Sequence, residues 1–144
     1  VPTVVAPGCL DMVNFWAPET VPERYRGRKL YQHNPNVTLM RTNVEENQRL
    51  SELIADKLNV SRGPVTVLLP LRGLSVIGKP AGPFHFPEAD QALIDGLKQR
   101  LRSGIDVIEL DANINDAAFA ERCAAELLKH MRSVSRANQS HPHA

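Results

Sequence analysis

The sequence has few cysteines and no excess of charge of either sign. Its two cysteines, Cys9 and Cys123, stand far apart without metal-ligand spacing, which argues against a disulfide framework and favours a reducing, cytoplasmic setting. A net charge of +1 creates no strong field toward nucleic acid or membrane, so neither partner is expected. Cys123 falls on the apolar stripe of a predicted helix and is expected to pack there, whereas the role of Cys9 stays open.

Long apolar runs and several catalytic motifs are also missing. No stretch approaches the roughly 18–20 apolar residues that a membrane-spanning helix needs. The opening segment VPTVVAPG lacks the basic start and apolar stretch of a signal peptide. No HExxH, GxSxG or GxGxxG pattern occurs, so the sequence carries no zinc-protease, α/β-hydrolase or dinucleotide-binding signature. Because the chain opens in a β-rich run without Met, we expect it to belong to a longer protein.

Apolar periodicity predicts one α/β domain over residues 1–132, with a flexible polar tail at 133–144. Helices are expected after a capping box of Thr42 and Glu45, from about Glu88, and after Asn115-Asp116. Short strands are predicted at Thr3–Ala6, Lys29–Gln32, Thr38–Arg41, Val65–Leu69 and Asp106–Leu110, with an irregular segment after Pro7. Their alternation predicts a three-layer Rossmann-like or flavodoxin-like sandwich with a mainly parallel sheet of about 4–5 strands, whose order is undetermined.

The third helix carries an apolar stripe that is expected to face the core. Its members are Ala120, Cys123, Ala124, Leu127, Leu128 and Met131. Ligands of parallel sheets bind beyond the carboxyl ends of the strands, and this rule selects five loops. They are Pro7–Phe15, His33–Asn36, Arg41–Asn43, Pro70–Phe86 and Asp111–Asp116.

In the first of these loops, Gly8 would let a ligand approach the backbone. Asp11 and Asn14 carry groups that bind hydroxyls, a ribose or a base edge. Alternatively, Asp11 caps a short helical turn that contains Met12 and Phe15. Both interpretations stay open.

In the next two loops, His33 and Asn34 end a strand, and Arg41 precedes Asn43 at a helix start. Exposed N–H groups there, with Arg41 beside them, would suit a phosphate or a carboxylate. Alternatively, Asn34-Pro35 is turn chemistry, His33 bonds the backbone, and Arg41 pairs with Glu45 or Glu46.

The segment Gly73–Pro80 nearly matches the phosphate-binding pattern GxxxxGK[ST], but Pro80 replaces the hydroxyl that would hold Mg²⁺. We therefore reject a true phosphate loop. Gly73 and Ser75, beside Arg72, still offer groups for an anion, unless this is simply a flexible loop. In the last loop, Asn113 and Asn115 either bind a ligand or cap the following helix. His85, between two Phe residues, is expected to be a packed loop histidine.

Five ordered motifs resemble the C-terminal half of the tomato mosaic virus resistance-protein-like ATP-binding family. They are PGxxDMxNF at Pro7–Phe15, HNPxVTLMRT at His33–Thr42, GPVxVLLPLxGxS at Gly63–Ser75, FxxPEADxAL at Phe84–Leu93 and INDxxFA at Ile114–Ala120. The resemblance implies a two-lobed protein in which a nucleotide-binding lobe precedes this part. Plant members of that family restrict tobamovirus RNA replication by binding viral replication proteins. No catalytic residue is carried over from the family.

The first functional hypothesis is therefore a nucleotide-binding module that works with an N-terminal lobe, takes ATP (with Mg) in the full-length protein, and can form homo-oligomers. The second is a metabolic enzyme acting on a small phosphorylated or carboxylated compound at the lobe interface. The third is an interaction or assembly domain. The sequence does not decide whether the protein is an enzyme.

Overall fold

The computed structural model describes residues 1–139, which form six strands and three α-helices. Two 3₁₀ turns, Pro18–Thr20 and Glu23–Tyr25, lie between the second and third strands. The elements are β1 Thr3–Val5, β2 Met12–Phe15, β3 Leu30–Asn34, β4 Val37–Arg41, α1 Val44–Asn59, β5 Val65–Pro70, α2 Pro87–Arg100, β6 Asp106–Leu110 and α3 Ala117–Gln139. Within residues 1–139, no helix combines the length and the apolarity needed to cross a membrane.

A three-stranded parallel sheet in the order β1-β5-β6 forms the centre of the domain. Every residue of β5 is buried, as its continuous apolar run predicts for a strand covered on both faces. Helices α1 and α2 pack on each other and, with this sheet, enclose the main core; α3 contacts β1 and β5. The buried core residues are Val65, Val67, Leu69, Leu74, Leu93, Ile94, Leu97 and Ile105.

A second sheet, in the order β2-β4-β3, is antiparallel. The prediction of one mainly parallel sheet was therefore wrong, although the α/β class is confirmed. Only Pro35 and Asn36 separate β3 from β4, and a parallel pair needs a crossover of a dozen or so residues. Strand β2 lies in the segment expected to be irregular, and it pairs Asn14 with Leu39. The helical turn considered for Met12 and Phe15 is thus replaced by a strand.

Helix α1 begins with a capping box, one residue later than the sequence predicted. Asn43 accepts a hydrogen bond from the backbone N–H of Glu46, and the Glu46 side chain accepts one from the backbone N–H of Asn43. Thr42 instead donates its hydroxyl to the carbonyl of Leu10 at 2.9 Å. The box satisfies two of the N–H groups that a helix start leaves open.

Helix α3 uses a different face against the sheet than its apolar stripe predicts. Phe119, Glu126 and His130 are buried and Cys123 is half-buried, whereas three stripe residues, Leu127, Leu128 and Met131, are 37%, 51% and 52% exposed. The His130 imidazole Nε2 lies 2.7 Å from the hydroxyl of Thr66 on β5. The helix continues to Gln139, so the first part of the predicted tail is helical; residues 140–144 lie outside the described residues.

Candidate functional site

A pocket of 440 Å³ opens between the antiparallel sheet and the loops that follow β1, β5 and β6. Met12, Asn14, Val37 and Leu39 supply one wall, since alternate residues of β2 and β4 point to the same face of the sheet. The loops supply the remaining lining residues, Gly8, Cys9, Leu74, Ser75, Val76, Ile77, Ile114 and Asn115, and β3 contributes His33. Most of these side chains are apolar, and none of the lining residues is Lys or Arg.

Five residues that the sequence singled out line this one pocket. They are Gly8, Asn14, His33, Ser75 and Asn115. Gly8 gives the pocket room there, because a Cβ on it would lie 3.1 Å from the Cδ1 of Ile114. Asn14, His33 and Asn115 are exposed, so their polar groups are accessible to a ligand.

Asp11 lies beneath the pocket rather than in its lining. It is fully buried, and its Oδ2 accepts a hydrogen bond from the Ser75 hydroxyl at 2.5 Å. Ser75 Oγ in turn accepts the backbone N–H of Gly78 at 3.0 Å, and a Cβ on Gly78 would collide with Asp11 Oδ2. The other carboxylate oxygen, Oδ1, is buried without a hydrogen-bond partner in the structure. Asp11 therefore holds the loop that forms the pocket wall, and it caps no helix.

Asn113 holds the same loop from the other side. Its Nδ2 lies 2.9–3.2 Å from the backbone oxygens of Arg72, Gly73 and Ser75. Its Oδ1 accepts the backbone N–H and the side-chain amide of Asn115. Asn113 thus works as a buried support, and through it Asn115 is positioned at the pocket.

The backbone takes the left-handed conformation at two points beside the pocket. Gly73 has φ 115°, and a Cβ there would meet the backbone of Gly78 and the amide of Asn113. Cys9 has φ 57°, which is uncommon for a residue other than glycine. Its N–H donates to the carbonyl of Leu74 at 2.8 Å, and this bond joins the β1 and β5 loops.

Arg41 has 2% of its surface exposed, and it lines a separate pocket of 360 Å³ together with Arg28, Lys29 and Asn43. Its Nε donates to the carbonyl of Phe84 at 2.7 Å, and its Nη2 donates to Asp90 at 2.6 Å and to the carbonyl of Phe86 at 3.2 Å. Its Nη1 faces Thr42 Oγ1 at 3.2 Å and two backbone oxygens at 3.4 Å. The ion-pair partner of Arg41 is Asp90, so the pairing with Glu45 or Glu46 considered from the sequence is wrong.

Burial governs the carboxyl group that pairs with Arg41. The Asp90 side chain is 14% exposed. Burial raises the pKa of Asp90 above its ordinary value, and the charge and hydrogen bond of Arg41 oppose that rise. Glu46 pairs instead with Arg28, whose hydrogen bonds lower the pKa of the Glu46 carboxyl.

Three other predicted site residues have structural contacts away from the pocket. Asn34 Oδ1 accepts the backbone N–H of Asn36 in the β3–β4 turn, and Asn43 caps α1. Arg72 is exposed and makes two hydrogen bonds with Asp111, at 2.6 and 2.7 Å. These bonds lower the pKa of Asp111.

The sequence missed the apolar walls of the pocket. Met12 and Val13 are both apolar, and Val37, Leu39 and Met40 are all apolar around Thr38, so neither segment shows a clear apolar–polar alternation. What the sequence did not give was the partner strand, because β2 was taken for irregular loop. Cys9, whose role was left open, also lines the pocket.

Other parts of the surface offer less convergent chemistry. A groove of 920 Å³ between α1 and α2 is lined by polar and charged side chains, of which Glu52 and Arg100 pair with each other. In residues 1–139, no cluster of three or more His, Cys, Asp or Glu side chains is arranged to hold a metal ion. The strand-end pocket is therefore the candidate site.

The structure is that of a small mixed α/β domain with a mainly apolar pocket beyond the carboxyl ends of its parallel strands. The profile of the uncharacterised protein family UPF0261, C-terminal domain, matches residues 1–131, and the chain belongs to this family. A UPF0261 protein of Rhizobium meliloti (strain 1021) is 52% identical over 126 residues, which cover 86% of this chain and 32% of that protein.

Two further relatives extend the comparison. A UPF0261 protein of Clostridium tetani (strain Massachusetts / E88) is 43% identical over 132 residues, covering 91% of this chain and 33% of that protein. The ToMV resistance protein Tm-1(GCR237) of Solanum lycopersicum is 39% identical over 131 residues, which cover 90% of this chain and 17% of that protein. The chain thus spans about a third of the length of its bacterial relatives and less of the plant protein.

Proposed function

We propose that this chain is the ligand-binding C-terminal lobe of a nucleotide-binding protein, and that its pocket receives the base and ribose of the nucleotide. The observation that carries the proposal is the lining of the 440 Å³ pocket: apolar walls with the amides of Asn14 and Asn115 among them. Small-molecule sites are concave and mostly apolar, with a few polar groups that fix orientation. Asparagine amides pair well with the donor and acceptor edge of adenine.

Charge decides which end of a nucleotide the pocket suits. Phosphates are held by Lys, Arg or clustered backbone N–H groups, and no Lys or Arg lines this pocket. Arg41 and Arg72 are bonded to Asp90 and Asp111 respectively. The phosphates of ATP, with any Mg²⁺, would then contact chain outside these 144 residues, in keeping with the resemblance to an ATP-binding family. The same charge argument weighs against the alternative of an enzyme for small phosphorylated or carboxylated compounds.

Solution NMR of the ¹⁵N-labelled chain tests this assignment, because chemical shifts detect even millimolar binding. Adenosine and ATP are expected to shift the amide signals of residues around the pocket, such as Asn14, Ile77 and Asn115. Sodium tripolyphosphate, which carries the phosphates alone, is expected to leave them in place. If neither adenosine nor ATP shifts these signals, or if tripolyphosphate shifts them equally, the proposal is wrong.

A matched pair of variants connects the signal to the pocket. Asn14→Ala removes an exposed amide of the pocket, and we expect the Kd for adenosine to rise by about three- to tenfold, the worth of one hydrogen bond. Asn36→Ala removes an exposed amide in the β3–β4 turn, outside the pocket, and should leave Kd unchanged. If the two substitutions change the Kd for adenosine equally, the amide of Asn14 makes no specific contact with the ligand.

A thermal-shift screen of metabolites separates the nucleotide from the enzyme hypothesis. Ligands that bind only the folded state raise Tm in proportion to the logarithm of their concentration. The proposal expects nucleosides and nucleotides to stabilise the chain. A sugar phosphate or a carboxylic acid that stabilises the chain where nucleosides do not would favour the enzyme.

A further inference from the structure

Helix α3 carries more apolar surface than its own sheet covers. At about 100° per residue, its inward set (Phe119, Cys123, Glu126 and His130) and its apolar stripe point about 110° apart around the helix axis. The members of this outer stripe are Ala120, Ala124, Leu127, Leu128 and Met131. Two of the four inward residues, Glu126 and His130, are polar, so the large apolar side chains between Glu126 and Arg132 all lie on the outer stripe.

The outer stripe carries no charged side chain, whereas charged side chains are common on the remaining exposed surface of α3, beside Ala118 and Ala125. Arg122 donates to Glu126 at 2.8 Å, Lys129 lies 3.5 Å from the same carboxylate, and Glu121 and Arg132 are exposed. Isolated exposed apolar residues are ordinary, but Leu127, Leu128 and Met131 are adjacent on the helix. The outer stripe therefore has the composition of a surface that packs against another part of a protein.

The path of the chain indicates which segment packs against the outer stripe. The His130–Thr66 contact puts the second half of α3 over the amino end of β5. The N–H of Thr3 donates to the carbonyl of Pro64 just before β5, so Val1 lies at that same end of the sheet. The family profile is that of a C-terminal domain, and in longer family members the preceding chain enters at this end of the sheet, the end over which the second half of α3 lies.

We propose that the outer stripe of α3 is the docking surface for the chain that precedes this domain in the longer family members. The Rhizobium meliloti relative has two thirds of its length outside the match, enough for a further folded lobe. A covalently attached lobe has a high effective concentration, so a stripe of this size suffices to dock it. A stable dimer of separate chains buries about 800 Å² per partner, more than three large side chains provide. The loops around the pocket then need not be the main contact between lobes.

Thiol labelling of a cysteine placed in the stripe tests this proposal without reference to ligand binding. Leu128→Cys would be introduced into the longer polypeptide that carries this domain and into the 144-residue chain, with Met131→Cys as a second probe. Val60→Cys, at a 78% exposed position on the end of α1, is the matched control. Mass spectrometry of peptides reads the introduced thiol separately from Cys9 and Cys123.

The expected result is that Cys at 128 or 131 reacts at least about tenfold more slowly in the longer polypeptide than in the 144-residue chain, because a docked lobe opens only rarely. Cys at 60 should react equally in both. Equal rates at 128 and 131 in the two forms would overturn the proposal. Protection already present in the 144-residue chain, and lost on dilution, would overturn it in favour of a second copy.

Discussion

Arg41 shows, at the scale of one residue, that a guanidinium group can either stabilise the protein interior or bind a ligand. A guanidinium beside a helix start suits a phosphate when it faces solvent. Here the strand β4 is buried along Thr38–Arg41, and the guanidinium meets the carbonyls of Phe84 and Phe86 and the Asp90 carboxylate instead. The role of Arg41 depends on the segments that pack against it, and these are distant in the sequence.

The pair of Arg41 and Asp90 makes a pH-dependent contribution to stability whose sign follows from burial. Because burial raises the pKa of Asp90 in the folded state, the folded protein holds the Asp90 proton to higher pH than the unfolded chain does. We expect the unfolding free energy of the wild type, relative to Asp90→Asn, to fall as pH rises from the ordinary Asp value of 3.8 through the raised folded value. Urea titrations of both proteins at several pH values measure this difference; a rise over that window would mean that Arg41 outweighs burial.

Gly78 offers a test of the packing beneath the pocket. A Cβ at this position collides with Asp11 Oδ2, so Gly78→Ala should lower the unfolding free energy by about 1–3 kcal/mol, as overpacking does. Gly27 has nothing within 4 Å of the corresponding position, and Gly27→Ala should be neutral or stabilise by up to about 1 kcal/mol. Chemical denaturation of the two variants decides the matter, and similar values would show that the loop yields without cost.

At the scale of elements, the strands and helices of the parallel layer were predictable and the antiparallel sheet was not. An apolar run identifies β5 directly, because a strand buried on both faces needs no partner-specific pattern. Strand β6 is half-buried, and Val107, Ile108 and Leu110 supply its apolar signal. Strand β2 has only half-buried and exposed residues and lies among loop residues, so its pairing with β4 supplies most of its definition. The turn between β3 and β4, Pro35-Asn36, lacks the Asn-Gly or Gly-X pattern typical of two-residue hairpins, so it did not predict this pairing.

The start of α1 gives a prediction at this scale. Asn43→Ala removes the side chain that accepts the N–H of Glu46, and we expect a loss of about 1 kcal/mol of stability. Glu45, which the sequence placed in the capping box, is exposed, and Glu45→Ala should change stability by less than about 0.5 kcal/mol. Thermal or urea unfolding compares them; the reverse ranking would restore Thr42 and Glu45 as the box.

At the scale of the whole molecule, the three helices differ in how extensively they pack against the rest of the domain. Helices α1 and α2 pack against each other over the main core, whereas the main contacts of α3 within residues 1–139 are with β1 and β5, through a narrow inward face. In hydrogen exchange of the 144-residue chain, we expect α3 amides to lose protection before those of α2. Protection of α3 equal to that of α2 would mean that its inward face stabilises it more than its contacts suggest.

Four of the five loops that the strand-end rule selected contribute residues to the pocket, although the sheet assumed in applying the rule was wrong. The loops after β1, β5 and β6 do follow parallel strands, so Gly8, Ser75 and Asn115 converge as the rule requires. His33 reaches the same pocket from the antiparallel hairpin, for which the rule gives no reason. Asp11 and Asn113 carry polar groups of the right kind, but whether such a group faces a ligand or a neighbouring loop is decided by the packing around it.

Strand β1 has a consequence for how the domain is handled in the laboratory. It is three residues long and covers one side of β5, where Val5 lies beside Val67. Deletion of the first five residues would remove β1 and expose the hydrogen-bonding edge of β5, a fully buried apolar strand. Such edges recruit other strands, so a trimmed domain should be prone to self-association and precipitation, whereas extra residues ahead of Val1 should be tolerated.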